Sequence, residues 1–167
     1  RLRPGIYFQE HAAFKGKRRE LVAQDYVYSV KRHYNPKFKS PRIYLLENAK
    51  LLGLPEIRAA ALKGAKFDYD REVEGVRALD RYTLRIKLAE PGPRFYYNLA
   101  DTWLGAVARE VDEMYNENEM LANPVGTGPY RLVDWRRSSR MVFEKNPGYR
   151  EDVYQDQATS GESLGEE

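Results

Sequence analysis

Apolar positions along this chain change period repeatedly, and each change predicts an element. Over residues 24–34, Val27, Val30 and Tyr34 recur at spacings of three and four with Tyr26 beside them, the pattern of an amphipathic helix that stops at Asn35-Pro36. After a loop over 36–41, a second helix takes in Ile43, Tyr44, Leu45, Leu46, Leu51 and Leu52 and stops at Gly53. A third begins after Pro55 and runs through Ile57 and Leu62 to Gly64. Over 73–88 the period falls to two: Leu84, Ile86 and Leu88 share one face, Thr83, Arg85 and Lys87 the other. With Asp80-Arg81 interrupting the pattern upstream, this predicts a hairpin with one dry face. The Pro91-Gly92-Pro93 turn then leads into an aromatic helix over 95–100, followed by another helix over about 106–115.

Residues 123–149 carry the strongest local signal. Pro124 and Pro129 fix φ on either side of Gly126 and Gly128, which predicts a stiff turn with the glycines in conformations closed to other residues. Two strands follow around a polar reversal at Arg136-Arg137-Ser138-Ser139-Arg140. Leu132 and Val133 on the first and Met141, Val142 and Phe143 on the second leave neither face polar, which predicts a strand pair inside a larger sheet. The fold class expected from this series is mixed α/β. Residues 1–8 read as a strand end, a Pro-Gly turn and a short extended piece, and residues 9–20 as a polar loop.

Composition narrows the function. A content of 42% hydrophobic and 13% aromatic residues over 167 positions supports a buried core. Thirteen tyrosines read first as amphipathic filler of cores and clefts, with an aromatic binding surface as the lesser reading. The net charge of +3 divides unevenly: residues 151–167 carry Glu151, Asp152, Asp156, Glu162, Glu166 and Glu167 with no Lys or Arg, so the body is basic. That tail, rich in Gly, Ser and Thr, reads as a linker or frayed end. The densest basic run, Lys15-Gly16-Lys17-Arg18-Arg19, lacks the interleaved aromatics of a nucleic-acid module and reads as a solvated loop. Without cysteine there are no disulfides, no thiolate chemistry and no cysteine-bound zinc.

Catalytic patterns are absent or out of context. His11 and His33 are the only histidines and form no H-E-x-x-H pair. Ser139 lies in a turn with no histidine near it and reads as a turn former. Gly126 and Gly128 suggest a phosphate cradle, but Pro129 and Tyr130 lead into a strand rather than a helix N-terminus. A carboxylate-pair hydrolase and a basic nucleic-acid-associated module stay open as alternatives; no metal or other cofactor is expected.

Four stretches in order resemble extracellular solute-binding protein family 5, the oligopeptide- and dipeptide-binding components of ABC importers. Leu2-Arg3-Pro4-Gly5-Ile6-Tyr7-Phe8 is similar to its LR-x-G-x-x-F segment. Val22-Ala23-Gln24-Asp25-Tyr26-Val27-Tyr28-Ser29-Val30-Lys31-Arg32 resembles its TA-x-DV-x-x-S-x-x-R helix, and Ala78-Leu79-Asp80-Arg81-Tyr82-Thr83-Leu84 its A-x-D-x-x-T strand. The stretch from Pro124 through Gly126, Gly128, Pro129, Tyr130 and Trp135 to Asn146-Pro147-Gly148-Tyr149 resembles its PVGTGPY…W…NP-x-Y segment. Two departures stand out: Val22 replaces the usual Thr at the helix cap, removing a side-chain acceptor, and the 9–20 loop is longer and more basic than usual.

The resemblance implies a portion of a two-lobed periplasmic-binding-protein-like fold: an accessory subdomain over 1–106, a helix and hairpin re-entering the first lobe over 107–150, and the tail. It implies an exported, periplasmic, non-enzymatic protein, monomeric at full length, that closes over a peptide or small solute and delivers it to an ABC permease in the membrane, with no nucleic-acid partner. Much of the pocket would lie in a second lobe and an N-terminal piece outside this chain. It also points to Arg42, with Tyr44 nearby, as a cleft-facing position at which a guanidinium could pair with a ligand carboxylate; the competing reading is a solvated Arg42 at a helix start and a core-packed Tyr44. Asp25, Gly126, Gly128, Pro129, Tyr130, Trp135, Asn146 and Tyr149 are implied as structural motif residues.

Overall fold

The computed structural model describes residues 1–115, 119 and 122–150, so the acidic tail and most of 116–121 lie outside the described residues. The elements in order are α1 (Ala23–Tyr34), α2 (Ile43–Ala49), α3 (Leu54–Leu62), β1 (Val76–Ala78), β2 (Leu84–Ile86), α4 (Phe95–Ala100), α5 (Arg109–Asp112), β3 (Tyr130–Arg136) and β4 (Arg140–Lys145). The architecture is the mixed α/β one expected. Strands β1 and β2 pair antiparallel with Arg77 opposite Arg85, and β3 and β4 pair antiparallel with Tyr130 opposite Lys145.

Helix α1 is the spine. Its Val27, Val30 and Tyr34 enter a core with Leu46, Leu51, Leu54, Ile57, Val76 and Phe95. Burying such side chains contributes about 1.5–3 kcal/mol each. Tyr34 is fully buried, and its hydroxyl is satisfied by donating to Leu46 O at 2.9 Å. A second core joins Phe8, Phe14 and Leu21 to Ala108, Val111 and Val125, so segments on both sides of residue 106 share it. The N-terminal residues form no regular strand; a single bridge pairs Tyr7 with Glu20.

The helix boundaries shift where tertiary pairing overrides periodicity. Helix α2 ends at Ala49 because Lys50 takes a left-handed φ of 50° and Leu51 pairs with Leu88 beside β2. The helix expected over 106–115 is confined to Arg109–Asp112. Gly75 is wedged against this junction: its N–H donates to Leu52 O at 2.7 Å, its carbonyl accepts from Lys87 N at 3.0 Å, and a Cβ there would meet Leu52 N at 2.5 Å.

The β3–β4 hairpin follows the predicted limits, with Ser138 at φ 58° making the reversal. Two expectations about it change. Neither Gly126 nor Gly128 has a φ in the left-handed region, so the turn does not depend on glycine's backbone freedom. And among the described residues the pair has no third strand: a bulge at Val133 breaks its alternation and every residue of β4 is exposed.

Candidate functional site

The residues singled out above fall into places held together by side-chain to backbone bonds. At the start of α1, Val22 N–H donates to Asp25 Oδ2 at 2.8 Å, the reciprocal half of a capping box, while Asp25 N–H, which a Thr hydroxyl at 22 would meet, donates to Val22 O at 3.1 Å instead. Arg19 donates to both Asp25 oxygens, at 2.6 and 3.1 Å, and its Nε donates to Glu110 at 2.8 Å. The basic run is therefore not simply solvated: Arg19 is consumed in ion pairs and the Arg18 guanidinium lies 4.0 Å over the Tyr7 ring.

The same helix carries a polar stripe that periodicity alone did not reveal. Tyr28 Oη donates to Asp112 Oδ2 at 2.6 Å, Arg32 Nε donates to the same oxygen at 2.9 Å, and Val107 N–H donates to Ser29 Oγ at 2.7 Å. Positions 25, 28, 29 and 32 lie on one face by helical spacing, and together they dock the 107–113 segment. Burial, then the bond to Asp112, pushes the Tyr28 hydroxyl far above its ordinary range. The signal in the sequence was the run of polar residues on the face opposite Val27, Val30 and Tyr34.

Further joints fix the N-terminal turn and the first hairpin. Gly5, at φ 78°, donates its N–H to Glu20 at 2.8 Å, and Glu20 also accepts from Arg81 at 2.7 Å and from Tyr82 Oη at 3.0 Å. These bonds, Arg81 first, hold the Glu20 carboxyl down to about 2. Asp80 accepts from the N–H groups of Tyr82 and Thr83 at 2.8 and 2.9 Å, which shapes the hairpin tip.

Both histidines are committed locally. His33 Nε2 lies 3.1 Å from Trp103 O, which can only accept, so Nε2 carries the proton and Nδ1 accepts from Ser40 Oγ at 2.8 Å. Burial first, with the neighbouring Arg32 charge, pushes His33 down to about 4 despite the Trp103 bond. His11 Nδ1 accepts from Ala13 N–H at 3.2 Å, leaving Nε2 to donate to Tyr115 Oη at 2.9 Å. Among the described residues no cluster of His, Asp and Glu is arranged to hold a metal ion, and no helix is long and apolar enough to cross a membrane.

Arg42 precedes α2 and is half exposed, with its Nη1 donating to Asp101 Oδ2 at 3.1 Å beyond the end of α4. Tyr44 is 56% exposed, so it is not core packed. Both side chains are thus on the surface, where the Arg42–Asp101 pair links the start of α2 to the end of α4.

The hairpin motif residues form one closed unit. Asn146 is buried; its Nδ2 donates to Gly128 O at 2.9 Å, its Oδ1 accepts from Gly148 N–H at 3.1 Å and its own N–H donates to Pro129 O at 2.8 Å. Tyr149 N–H donates to Asn146 O at 3.1 Å. Gln9 ties the turn to the second core by donating from N–H to Gly126 O at 2.9 Å and from Nε2 to Pro124 O at 3.2 Å. Trp135 is half-buried, whereas Tyr130, Met141 and Phe143 stand exposed at 66%, 52% and 54%.

Comparison with known proteins gives a consistent picture. A sequence profile of the family described as bacterial extracellular solute-binding proteins, family 5 Middle, matches residues 1–160. The periplasmic oligopeptide-binding protein OppA of Escherichia coli (strain K12) is 35% identical over 130 residues, which is 77% of this chain and 23% of that protein. The dipeptide-binding protein of the same organism is 27% identical over 154 residues, 89% of this chain and 26% of that protein. The structure of Burkholderia pseudomallei OppA superposes with a TM-score of 0.64 at 25% identity, covering 89% of this chain and 26% of that one. The chain spans about a quarter of the length of the relatives it matches.

Proposed function

The chain belongs to the bacterial extracellular solute-binding proteins of family 5, and from that premise we propose that it supplies the accessory subdomain and part of the first lobe of an ABC importer's substrate-binding component. In this reading residues 1–106 are the accessory part, with 6–21 packing against the second part, and 107–150 carry the chain back into the lobe. The protein binds a peptide or related small solute by closure of two lobes and presents it to a membrane permease. It acts as a monomer in the periplasm; of the named relatives, OppA is a periplasmic oligopeptide-binding protein and the other a dipeptide-binding protein. The family consists of solute-binding proteins, and the protein is not an enzyme in this reading.

One observation carries the proposal: the β3–β4 hairpin is locked at its base by Asn146 while Tyr130, Met141 and Phe143 stay open to solvent. A two-stranded ribbon is marginal in water unless more strands or a helix cover it. A ribbon closed at its base, with these apolar side chains uncovered among the described residues, fits a sheet completed by further chain, and such a sheet would underlie the cleft. The exposed Arg42 guanidinium then offers a planar fork to a ligand carboxylate at the rim, with Tyr44 beside it.

Closure over a ligand makes affinity depend on contacts that exist only when both lobes meet. Isothermal calorimetry with a defined set of di- to pentapeptides tests this on the full-length protein and on residues 1–167. The full-length protein is expected to bind and the isolated chain to bind at least about 100-fold more weakly. Equal affinity of the two would refute the division of the site, and no binding by the full-length protein would refute the peptide class. Arg42→Ala is expected to weaken binding by about ten-fold if the guanidinium meets a ligand carboxylate.

A further inference from the structure

Away from the rim of α2 and α4, the C-terminal end of α1, the end of α3 and the segment 66–70 enclose an open cleft of about 970 Å³. Its size reaches the upper range of small-molecule sites. One wall is aromatic, formed by Phe67 and Tyr69 with ring centroids 4.9 Å apart. Ala61, Gly64 and Ala65 also line the cleft and add almost no side-chain bulk. Phe67 is buried in the core, so the half-buried Tyr69 is the ring against which a flat apolar group can lie.

The aromatic wall is held at several points. The buried Lys31 ammonium donates to Tyr69 O at 2.7 Å and to Arg71 O at 2.8 Å, which fixes the backbone. Asn35 Nδ2 donates to Tyr69 Oη at 2.8 Å, and Tyr28 packs on the ring at 4.9 Å between centroids. The wall is therefore in place before any ligand arrives, which removes an ordering cost from binding.

The polar groups of the cleft divide by availability. Formal charges balance, but the acids are already engaged: Asp70 and Glu113 accept from Arg109, and Asp68 accepts from the N–H groups of Asp70 and Arg71. Lys37 and Lys66 line the same cleft, and neither ammonium has a partner among the described residues. The groups left to meet a ligand are cationic.

We infer that this cleft is a second binding site, separate from any site between lobes, for a small anion with a planar apolar body such as an aromatic carboxylate. The ring lies against Tyr69, and the carboxylate accepts from Lys37 and Lys66. This inference does not rest on the peptide-binding reading.

The test uses 2-naphthoate as probe, titrated by fluorescence into the full-length protein, with 2-naphthylmethylamine as its cationic counterpart. Saturable binding of the anion with Kd below about 1 mM is expected, and binding of the amine at least about ten-fold weaker. The double variant Lys37→Glu, Lys66→Glu is expected to lose about ten-fold in naphthoate affinity. Ala65→Trp, at an exposed position that lines the cleft, puts bulk into it and is expected to abolish binding while the thermal midpoint holds. An excess of a peptide that the protein binds should leave the naphthoate in place. The inference fails if there is no saturable binding, if both variants bind like the parent, or if the peptide displaces the probe. Failure of every peptide to bind, with naphthoate bound and sensitive to these variants, overturns only the peptide reading.

Discussion

The side-chain amide of Asn146 donates to the carbonyl of Gly128 at 2.9 Å, across eighteen residues of sequence, and so closes the base of the β3–β4 hairpin. Because Asn146 Oδ1 also accepts from Gly148 N–H, one buried amide sets both where β3 begins and where β4 ends. Asn146→Ala leaves the Gly128 carbonyl and the Gly148 N–H without these partners, at a cost of about 1–3 kcal/mol. Hydrogen exchange should show faster exchange across residues 130–145 with little change in α1. Unchanged protection in the hairpin would show that the strands hold their register without the clamp.

Gly75 and Gly128 should respond oppositely to alanine. A Cβ at Gly75 meets Leu52 N at 2.5 Å and Leu52 O at 2.6 Å, both backbone atoms, so Gly75→Ala is expected to cost roughly 3 kcal/mol. At Gly128 nothing lies within 4 Å and φ is not left-handed, so Gly128→Ala should stay within about 0.5 kcal/mol of the parent. Urea unfolding of the two variants compares them directly; a Gly128 variant as damaged as the Gly75 one would mean that the turn does require glycine.

Acid should weaken the fold in two windows. His33 sits at about 4 in the folded state against an ordinary value near 6.5, so between these the unfolded chain binds more protons. Stability contributed by neutral His33 is complete above about pH 6.5 and declines as the pH falls towards 4, by up to about 3 kcal/mol. Glu20, held down to about 2, contributes stability above its ordinary 4.5 that is lost between there and pH 2. Stability measured against pH for the parent and for His33→Gln should differ in slope between pH 6.5 and 4 and run parallel below. Identical slopes in the upper window would remove His33 from the account.

The joint between α1 and α5 should behave as one unit. Asp112 Oδ2 accepts from both Tyr28 and Arg32, and the side chains of Arg32 and Asp112 are each only 14% exposed. Asp112→Ala strands a largely buried guanidinium and is expected to cost about 3 kcal/mol. Adding Arg32→Met should restore part of that loss, a coupling of about 1 kcal/mol or more in a double-mutant cycle. Additive losses would show that the two groups act independently.

The sequence by itself determined the features whose cause is local. The three- and four-residue spacing of Val27, Val30 and Tyr34 located α1 to within a residue, and the alternation at Leu84, Ile86 and Leu88 located β2. The ordered motifs marked Gly5, Asp25, Asp80 and Asn146, each of which takes part in a bond between backbone and side chain within about twenty residues. Only the tertiary structure decided the rest. Gly75 is squeezed by Leu52, Arg19 is taken by Glu110, and Tyr28 and Arg32 meet Asp112 some eighty residues away. Such partners leave no periodicity, because a pattern along the chain records which face a residue occupies and not what covers that face. For the same reason the apolar residues of β3 and β4 predicted a buried pair, while the packing left them open: hydrophobicity states that a surface should be covered, and only the arrangement of the chain decides whether anything covers it.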